Sequence, residues 1–194
     1  MCKVRVRPIP LQKPQRKLGF FAFIRILNFD RDWILTMETS KELSIEIRQV
    51  LPTAAHVEEL IAKLDQYQIS LYGIEACNLE SSNSLIKSNA YMLGAFVNGV
   101  LCGIGAIKFV ADYAEVKRMY VDVEYRGLAV AEKILAALES YAISKGTKAL
   151  FFETGKLHHA AIKFYVKNGF EQVSSFGRYK ANHVSVYFCK SLAS

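Results

Sequence analysis

The sequence lacks the cysteine pattern of a structural metal site or of a disulfide framework. Only four cysteines occur in 194 residues, namely Cys2, Cys77, Cys102 and Cys189. They lie far apart, no C-x-x-C pair is present, and no histidine stands at the spacing of a zinc ligand. We therefore predict no bound metal and a reducing, cytoplasmic location.

Long apolar runs are missing as well. The apolar stretch at residues 18–27 is interrupted by Arg25 and is too short to cross a bilayer. No small-residue cleavage site of a signal peptide follows it. We expect no membrane segment and no secretion signal.

Positive charge is unevenly distributed along the chain. The net charge is +7, of which residues 1–36 supply +6 through eight bases and two acids. Residues 37–194 are nearly neutral, which argues against nucleic acid as a partner. Nucleic-acid binding would depend on residues 1–36 alone, and these do not form a defined basic face with interleaved aromatics.

Length and composition predict one folded domain. Hydrophobic residues make up 52% of the chain and charged residues 22%, as in ordinary globular proteins. We predict a poorly ordered basic extension over residues 1–36 and one domain over residues 37–194.

Short periodic elements begin at residue 43 and follow the order β-α-α-β-β-β-α-β-α-β-β. The Asn98-Gly99 pair predicts a hairpin between two apolar strands. The predicted strands are 44–50, 91–97, 100–110, 115–121, 149–153, 170–174 and 184–189. One predicted helix begins at Pro52, and three more cover residues 69–77, 128–144 and 158–167. Residues 78–89 are predicted to form a polar loop. These elements indicate an α/β (α+β) fold.

Residues 116–131, VKRMYVDVEYRGLAVA, predict a strand, a short turn and the start of a helix. Such a turn directs unpaired backbone N–H groups at one point, where the helix dipole adds partial positive charge. Gly127, Ala129 and Ala131 are small enough for a diphosphate to approach the backbone, and Arg126 supplies charge. Tight packing of a helix on a strand needs the same small residues, so the segment alone leaves both interpretations open.

A second motif, AIKFYVKNGF, occupies residues 161–170. Together the two motifs resemble the R-x-x-G-x-G/A loop and the A-I-x-[FL]-Y-x-[KR]-x-G-F segment of the GNAT superfamily of N-acetyltransferases. Segments 152–155, 176–179 and 185–188 are similar to a bacterial, small-molecule-like branch of that superfamily. The resemblance spans residues 43–192. It implies a mixed, mostly antiparallel twisted sheet of about seven strands, flanked by about four helices and splayed between the fourth and fifth strands.

The resemblance implies that acetyl-CoA is the acyl-donor cosubstrate. The cofactor's amide-bearing arm would pair with the strand containing Met119, Tyr120 and Val121. Its diphosphate would lie on the loop formed by Arg126, Gly127, Leu128, Ala129, Val130 and Ala131. Ala129 replaces the usual glycine, and we expect its methyl group to fit because the residue would have an ordinary helical φ. His158 would border the cofactor, where a hydrogen bond to it and a helix cap are both open.

Acetyl transfer needs a neutral amine, a stabilised acyl oxygen and a departing thiolate. The resemblance implies that Tyr165 donates a proton to the sulfur, with packing in the core as the alternative. Glu153 and Glu115 are the candidates for the general base, and Glu153 is preferred because it precedes the Thr-Gly segment near the cofactor's reactive end. A solvated strand-end carboxylate is the alternative for each.

The sequence thus predicts an acetyl-CoA-dependent N-acetyltransferase that acts on a primary amine of a small molecule by direct attack in a ternary complex. Tyr72, Glu75 and Tyr179 are the candidate substrate residues, and Glu75 or Glu153 would attract a cationic amine. Two alternatives stay open: a non-catalytic module that binds and senses acyl-CoA, and an enzyme that acetylates protein amino groups. The oligomeric state is open too, a homodimer being one candidate.

Overall fold

The computed structural model describes residues 43–111 and 113–192, together with the backbone of two earlier strands, β1 (Phe23–Phe29) and β2 (Asp32–Glu38). These two strands pair antiparallel as a sheet of their own. A second compact unit begins at Leu43. Residues 1–22 lie outside the described residues, so the poor order predicted for residues 1–36 and the domain boundary after them stay predictions.

A seven-stranded sheet organises the unit that begins at Leu43. The strand order is β3-β4-β5-β6-β7-β9-β8, and every neighbouring pair is antiparallel except β6 and β7, which are parallel. The strands are β3 (Ile45–Gln49), β4 (Tyr91–Val97), β5 (Val100–Val110), β6 (Tyr113–Val121), β7 (Ala149–Gly155), β8 (Glu171–Val173) and β9 (Ser185–Ser191). The predicted mixed, mostly antiparallel sheet is confirmed.

Four α-helices accompany the sheet, as predicted. They are α1 (Ala55–Tyr72), α2 (Ser82–Lys87), α3 (Val130–Ser144) and α4 (His159–Lys167), with short 3-10 helices at Ile74–Ala76 and Val123–Tyr125. Buried side chains of α1 and α2 pack with one group of sheet residues, and those of α3 pack with another. Successive residues of β4, Met92 and Leu93, belong to different groups, so the helices cover opposite faces of the sheet.

The second helix does not lie where the sequence predicted it. Residues 69–72 continue α1, which ends at Gly73 with a φ of +75°. The helix lies instead within residues 78–89, which were predicted to be a polar loop. Ser81 starts it by accepting a hydrogen bond from the Ser84 N–H at 3.2 Å, and Leu85 anchors it in the core. One buried residue in six gives too weak a periodic signal for prediction.

Strands β6 and β7 meet over only two residue pairs. Ala114 lies opposite Leu150 and Glu115 opposite Phe151, whereas β6 continues to Val121 and β7 to Gly155. The predicted splay between the fourth and fifth strands of the sheet is therefore confirmed. From Val116 onwards, one edge of β6 has no strand paired with it in the part of the chain that the structure describes.

A β-bulge in β6 lies beside this opening. Arg118 has a φ of +53°, and the pairing of β6 with β5 shifts between Ile104 and Ala106. Bulges redirect side chains. Here the buried guanidinium of Arg118 forms an ion pair with Asp65 of α1 and donates to the backbone carbonyl of Glu80. The bulge thus ties α1 and the segment before α2 to the splayed part of the sheet.

Candidate active site

An apolar groove of about 250 Å³ lies between the unpaired part of β6 and helix α4. Its walls are Met119, Tyr120 and Val121 of β6, Ala160, Ala161, Phe164 and Tyr165 of α4, and Leu64, Tyr67, Arg126, Ala131 and His158 from neighbouring elements. Six of the predicted cofactor residues line this groove: Met119, Tyr120, Val121, Arg126, Ala131 and His158. The structure therefore brings together residues that the sequence keeps up to 39 positions apart.

The mouth of the apolar groove is the turn before α3. The Arg126 Nε donates to the Val121 carbonyl at 3.1 Å, which holds the guanidinium beside the turn. Gly127 has a φ of +83°, a conformation that glycine adopts without steric cost. The first N–H groups of the 15-residue α3 open onto the same turn. Backbone donors and a fixed cation at one point are suited to a diphosphate.

Ala129 does not have the helical φ that the sequence analysis expected. Helix α3 begins at Val130, so Ala129 precedes the first turn and adopts φ +58°, ψ 24°, the left-handed region. Any residue with a Cβ is strained there, by about 1–2 kcal/mol. The turn therefore carries the strain of the Ala129 methyl group in a conformation that glycine adopts without steric cost.

The remaining loop residues surround the helix start without lining the apolar groove. The Val130 side chain is buried in the core, and half-buried Leu128 packs against the same core. Only the backbone of these residues is available to a bound anion. Their predicted cofactor role stays a prediction, restricted to their N–H groups.

His158 is buried between the apolar groove and the sheet, with 7% of its surface exposed. Its Nδ1 lies 3.0 Å from Thr154 Oγ1, and its ring stacks on Tyr67 at a centroid distance of 5.1 Å. Although it stands at the start of α4, its side chain makes no capping hydrogen bond. Its Nε2 is buried and has no partner among the described residues. Burial lowers the pKa of His158, which favours the neutral ring.

Tyr165 lies where α4 faces both β6 and β7. Its side chain is 4% exposed, and its ring stacks on Phe152 with the centroids 3.7 Å apart. The ring is therefore part of the core, and the residue also lines the apolar groove. Burial raises the pKa of the Tyr165 hydroxyl well above its ordinary value of 10, so the hydroxyl keeps its proton and can donate it.

A narrow passage of about 100 Å³ continues from the apolar groove. The groove and the passage share five lining residues: Leu64, Met119, His158, Ala161 and Tyr165. Beyond these residues the passage reaches Glu153 and Lys117. Tyr165 therefore stands where the two spaces meet.

An outer cavity of about 560 Å³ follows the passage. The two spaces share Asn78, Glu80 and Lys117. The other residues that line the outer cavity come from the segment leading into α2 and from the loop between β8 and β9: Leu79, Ser81, Ser84, Arg178, Tyr179, Lys180 and Asn182. The passage thus shares lining residues with the apolar groove on one side and with the outer cavity on the other.

The two candidate bases occupy different surroundings. Glu153 lines the passage and accepts a hydrogen bond from Ser185 Oγ at 2.5 Å. Glu115 is 3% exposed, accepts a hydrogen bond from the Tyr179 hydroxyl and lies 2.6 Å from Lys117 Nζ. Glu115 lines neither the groove, the passage nor the outer cavity. The geometry therefore favours Glu153 over Glu115 for contact with a substrate.

The three candidate substrate residues are separated in the structure. Tyr179 lines the outer cavity, where burial and its hydrogen bond to Glu115 raise its pKa. The Tyr72 hydroxyl accepts a hydrogen bond from the Leu157 N–H at 2.7 Å, and so braces the turn between β7 and α4. Glu75 is exposed on the 3-10 helix Ile74–Ala76 and lines none of these three spaces. Their roles towards a substrate stay predictions.

Several site residues were missed by the sequence analysis. Lys117 was missed although it lies on the same face of β6 as the predicted Glu115, and nothing in the sequence linked Lys117 to Glu80, which lies 37 residues earlier. Arg118 gave no bulge signal, because arginine does not favour positive φ. Arg178 and Lys180 lie in a loop without periodicity. Such contacts arise from tertiary structure alone.

Comparison with known proteins shows the family. A model of the "Acetyltransferase (GNAT) family" matches residues 56–170, more than half of the chain. An "IAA acetyltransferase" of Azospirillum brasilense is 33% identical over 151 residues, which are 77% of this chain and 99% of that protein. The chain belongs to the GNAT family, whose members are acetyl-CoA-dependent N-acetyltransferases.

Two further comparisons agree with this assignment. A "Spermidine N(1)-acetyltransferase" of Thermoplasma acidophilum is 28% identical over 93 residues, 46% of this chain and 58% of that protein. A crystal structure of a Klebsiella pneumoniae protein assigned to the acyl-CoA N-acyltransferases is 32% identical, with a TM-score of 0.66 over 77% of this chain and 98% of that one. The predicted family, fold and class of enzyme are thereby confirmed.

Other classes of site receive no support from the described residues. They contain no cluster of three or more histidine, cysteine or acidic side chains suited to a metal. Cys77, Cys102 and Cys189 are free thiols. No helix among the described residues is long and apolar enough to span a bilayer.

Proposed function

We propose that the protein transfers the acetyl group of acetyl-CoA to a primary amine of a small molecule, by direct attack within a ternary complex. The observation that carries this proposal is that the apolar groove and the passage meet at shared residues in the splayed part of the sheet. The apolar groove and the passage share Met119, His158 and Tyr165. A cofactor in the groove and an amine in the passage would meet at these residues.

The residues of the apolar groove fit coenzyme A. The unpaired edge of β6 offers backbone groups to the amide-bearing arm, as an added strand would. Arg126 and the first N–H groups of α3 suit the diphosphate. His158 Nε2, buried without a partner in the described chain, would gain a hydrogen bond when the groove is filled. Acetyl-CoA supplies the activated thioester.

Tyr165 acts as the general acid in this proposal. Its hydroxyl keeps its proton because burial raises its pKa. Its position at the junction allows the hydroxyl to protonate the departing thiolate. Stacking on Phe152 fixes the ring, so the donor is oriented before the reaction.

Glu153 acts as the general base. A primary amine has a pKa of about 10 and arrives protonated, so it must lose a proton before it can attack. Glu153 lines the passage on the far side of Tyr165 and is held by Ser185. Its carboxylate would attract the ammonium group and accept the proton, directly or through water.

The relatives support a small-molecule acceptor. One is named for IAA and the other for spermidine, and both names describe small molecules rather than proteins. The cytoplasmic location predicted from the cysteines remains part of this proposal.

An amine screen tests the proposed function. Full-length protein is incubated with acetyl-CoA and individual small amines, free thiol is measured, and each amine is examined for the mass of one added acetyl group. We expect at least one amine to be acetylated in step with thiol release. Tight binding of coenzyme A with no acetylated amine would contradict the proposal and favour the sensing module.

A further inference from the structure

The outer cavity is lined almost entirely by polar side chains. Leu79 is the one exception. The others carry hydroxyl, amide or charged groups: Asn78, Glu80, Ser81, Ser84, Lys117, Arg178, Tyr179, Lys180 and Asn182. Burying a large apolar group here would strip these polar groups of water without replacing their hydrogen bonds. The cavity therefore suits a compact polar molecule.

Lys117 and Glu80 line the inner wall of this cavity, and each pairs with an opposite charge that lies behind the wall. Lys117 Nζ lies 2.6 Å from Glu115 Oε1, and Lys108 Nζ lies 3.1 Å from Glu80 Oε1. Burial raises the pKa of Glu80, but the hydrogen bond from Lys108 and the charge of Lys117 outweigh it, so the pKa lies below its ordinary value. Each of the two lysines thus has a carboxylate partner. This wall adds no net charge to the cavity.

Arg178 and Lys180 add a surplus of positive charge. Both line the outer cavity from the loop between β8 and β9. Neither forms an ion pair with any residue in the described part of the chain. Two cations without carboxylate partners at the rim of a polar cavity create a positive potential that favours an anionic ligand.

The loop that carries these cations is held in place by several contacts. The Tyr187 hydroxyl donates to the Lys180 carbonyl at 2.9 Å, and Tyr179 donates to Glu115. Phe176 packs against Tyr113 and Phe151, with centroid distances of 5.8 and 4.8 Å. The backbone on either side of Arg178 and Lys180 is therefore anchored to the sheet.

We propose that the acceptor is a small amine that also bears a carboxylate, bound at that group by Arg178 and Lys180. This inference rests on the proposed function. The carboxylate would lie in the outer cavity, while the amine reaches through the passage towards Glu153 and Tyr165. A planar guanidinium can hold a carboxylate through two parallel hydrogen bonds, and an ammonium adds a point charge. A polyamine would bring like charge against both groups.

Matched pairs of acceptors test this inference. Each pair consists of an amino acid and the amine left by its decarboxylation, such as tyrosine with tyramine or β-alanine with ethylamine, and spermidine represents the polyamines. We expect kcat/KM to be at least about tenfold higher for the carboxylate-bearing member of the preferred pair, a difference of about 1.4 kcal/mol. Equal rates within every pair, or a preference for spermidine, would overturn the inference while leaving acetyl transfer established.

Charge variants locate the selectivity. The double variant Arg178→Gln, Lys180→Gln removes both positive charges. In this variant the kcat/KM for the amino acid, divided by the kcat/KM for its decarboxylated amine, should fall about tenfold, while the KM for acetyl-CoA stays unchanged. A variant with Arg178→Lys in place of Arg178→Gln keeps the charge at this position and should recover part of the lost ratio. Lys145→Gln, which neutralises an exposed lysine beyond the end of α3, is the matched control. A ratio unaffected by the double variant would contradict the assignment of these two residues.

A binding measurement separates this inference from the proposed function. Calorimetry with coenzyme A present compares N-acetylated amino acids with the corresponding N-acetylated amines, which need no turnover. We expect the carboxylate-bearing compounds to bind more tightly, and the Arg178→Gln, Lys180→Gln variant to lose that difference. Equal affinities overturn the inference. Failure of every amine to be acetylated contradicts the proposed function, and the calorimetry then still decides whether the cavity prefers carboxylates.

Discussion

His158 Nδ1 and Thr154 Oγ1 lie 3.0 Å apart across the turn that joins β7 to α4. Both side chains are buried. The contact fixes the imidazole plane, so that the buried Nε2 is left without a partner in the described chain at the border of the apolar groove and the passage. Thr154, near the end of β7, thus sets the orientation of the His158 ring in the candidate active site.

The buried imidazole makes folding stability depend on pH. Burial lowers the pKa of His158 below its ordinary value of 6.5, so the unfolded chain binds a proton more readily than the folded one. The contribution of the neutral His158 ring to folding stability is fully present above pH 6.5, and it is lost as the pH falls from there towards the folded-state pKa. In urea unfolding between pH 7.5 and 5.5, His158→Gln should lose less stability than the wild type. His159→Gln changes the exposed neighbouring histidine and should behave like the wild type. If the free energy of unfolding changed with pH equally in the wild type and both variants, this account would be contradicted.

Two substitutions test the strain in the turn before α3. Ala129 has a φ of +58°, so Ala129→Gly should relieve strain and raise the free energy of unfolding by up to about 1 kcal/mol. Gly127 has a φ of +83°, so Gly127→Ala should lower it by about 1–2 kcal/mol, although no atom lies within 4 Å of the added methyl group. The two melting temperatures should move in opposite directions by a few degrees. A lower melting temperature for Ala129→Gly would contradict the left-handed conformation.

Arg126 tests the diphosphate site. A ligand that binds only the folded state at 100 times its Kd stabilises it by about 2.7 kcal/mol, which raises the melting temperature. Arg126→Glu should abolish most of the shift that coenzyme A produces, because it places a carboxylate where the diphosphate charge would lie. Lys148→Glu makes the same change of charge at an exposed residue before β7 and should leave the shift intact. Equal shifts in both variants would remove Arg126 from the site.

Glu153 and Glu115 should respond differently to the same substitution. Glu153→Gln should lower kcat by about 10²-fold or more with little loss of stability, because it removes the proposed base, which lines the passage. Glu115→Gln leaves the half-buried Lys117 ammonium opposite a neutral amide, with the Glu80 carboxylate 3.9 Å away as its remaining partner, and should destabilise the fold by up to about 3 kcal/mol. Steady-state kinetics and urea unfolding on both variants measure the two effects. A larger loss of kcat in a stably folded Glu115→Gln protein would reverse the assignment of the base.

Much of the fold was predictable because its elements are long or strongly punctuated. The Asn98-Gly99 pair marked the β4–β5 hairpin, and the regular apolar spacing of α3 marked that helix. Helix α2 escaped prediction because only Leu85 is buried on it. The bulge at Arg118 escaped it because the conformation is imposed by tertiary contacts with Asp65 and Glu80.

The candidate site, like the fold, has parts that the sequence predicts and parts that it does not. Most of the apolar groove could be predicted because eight of its twelve lining residues fall in two contiguous motifs, each with a recognisable pattern. The conformation of Ala129 could not, since alanine carries no signal for positive φ. The outer cavity could not either, because Glu80, Lys117 and Lys180 come from three distant segments whose spacing has no period. The acceptor specificity that we propose therefore depends on the least predictable part of the fold.

The most direct test of the central claim compares kcat for Tyr165→Phe with kcat for the wild type, using the amine found in the screen. The substitution removes the hydroxyl at the junction of groove and passage and keeps the ring that stacks on Phe152. Tyr141→Phe is the matched control, since Tyr141 stacks on Tyr91 outside both spaces. We predict a fall in kcat of about 10²-fold for Tyr165→Phe, at the lower end of general-acid effects, with acetyl-CoA affinity and stability nearly unchanged. An unchanged kcat, or a loss of several kcal/mol in stability that accounts for the lost activity, would contradict a catalytic Tyr165.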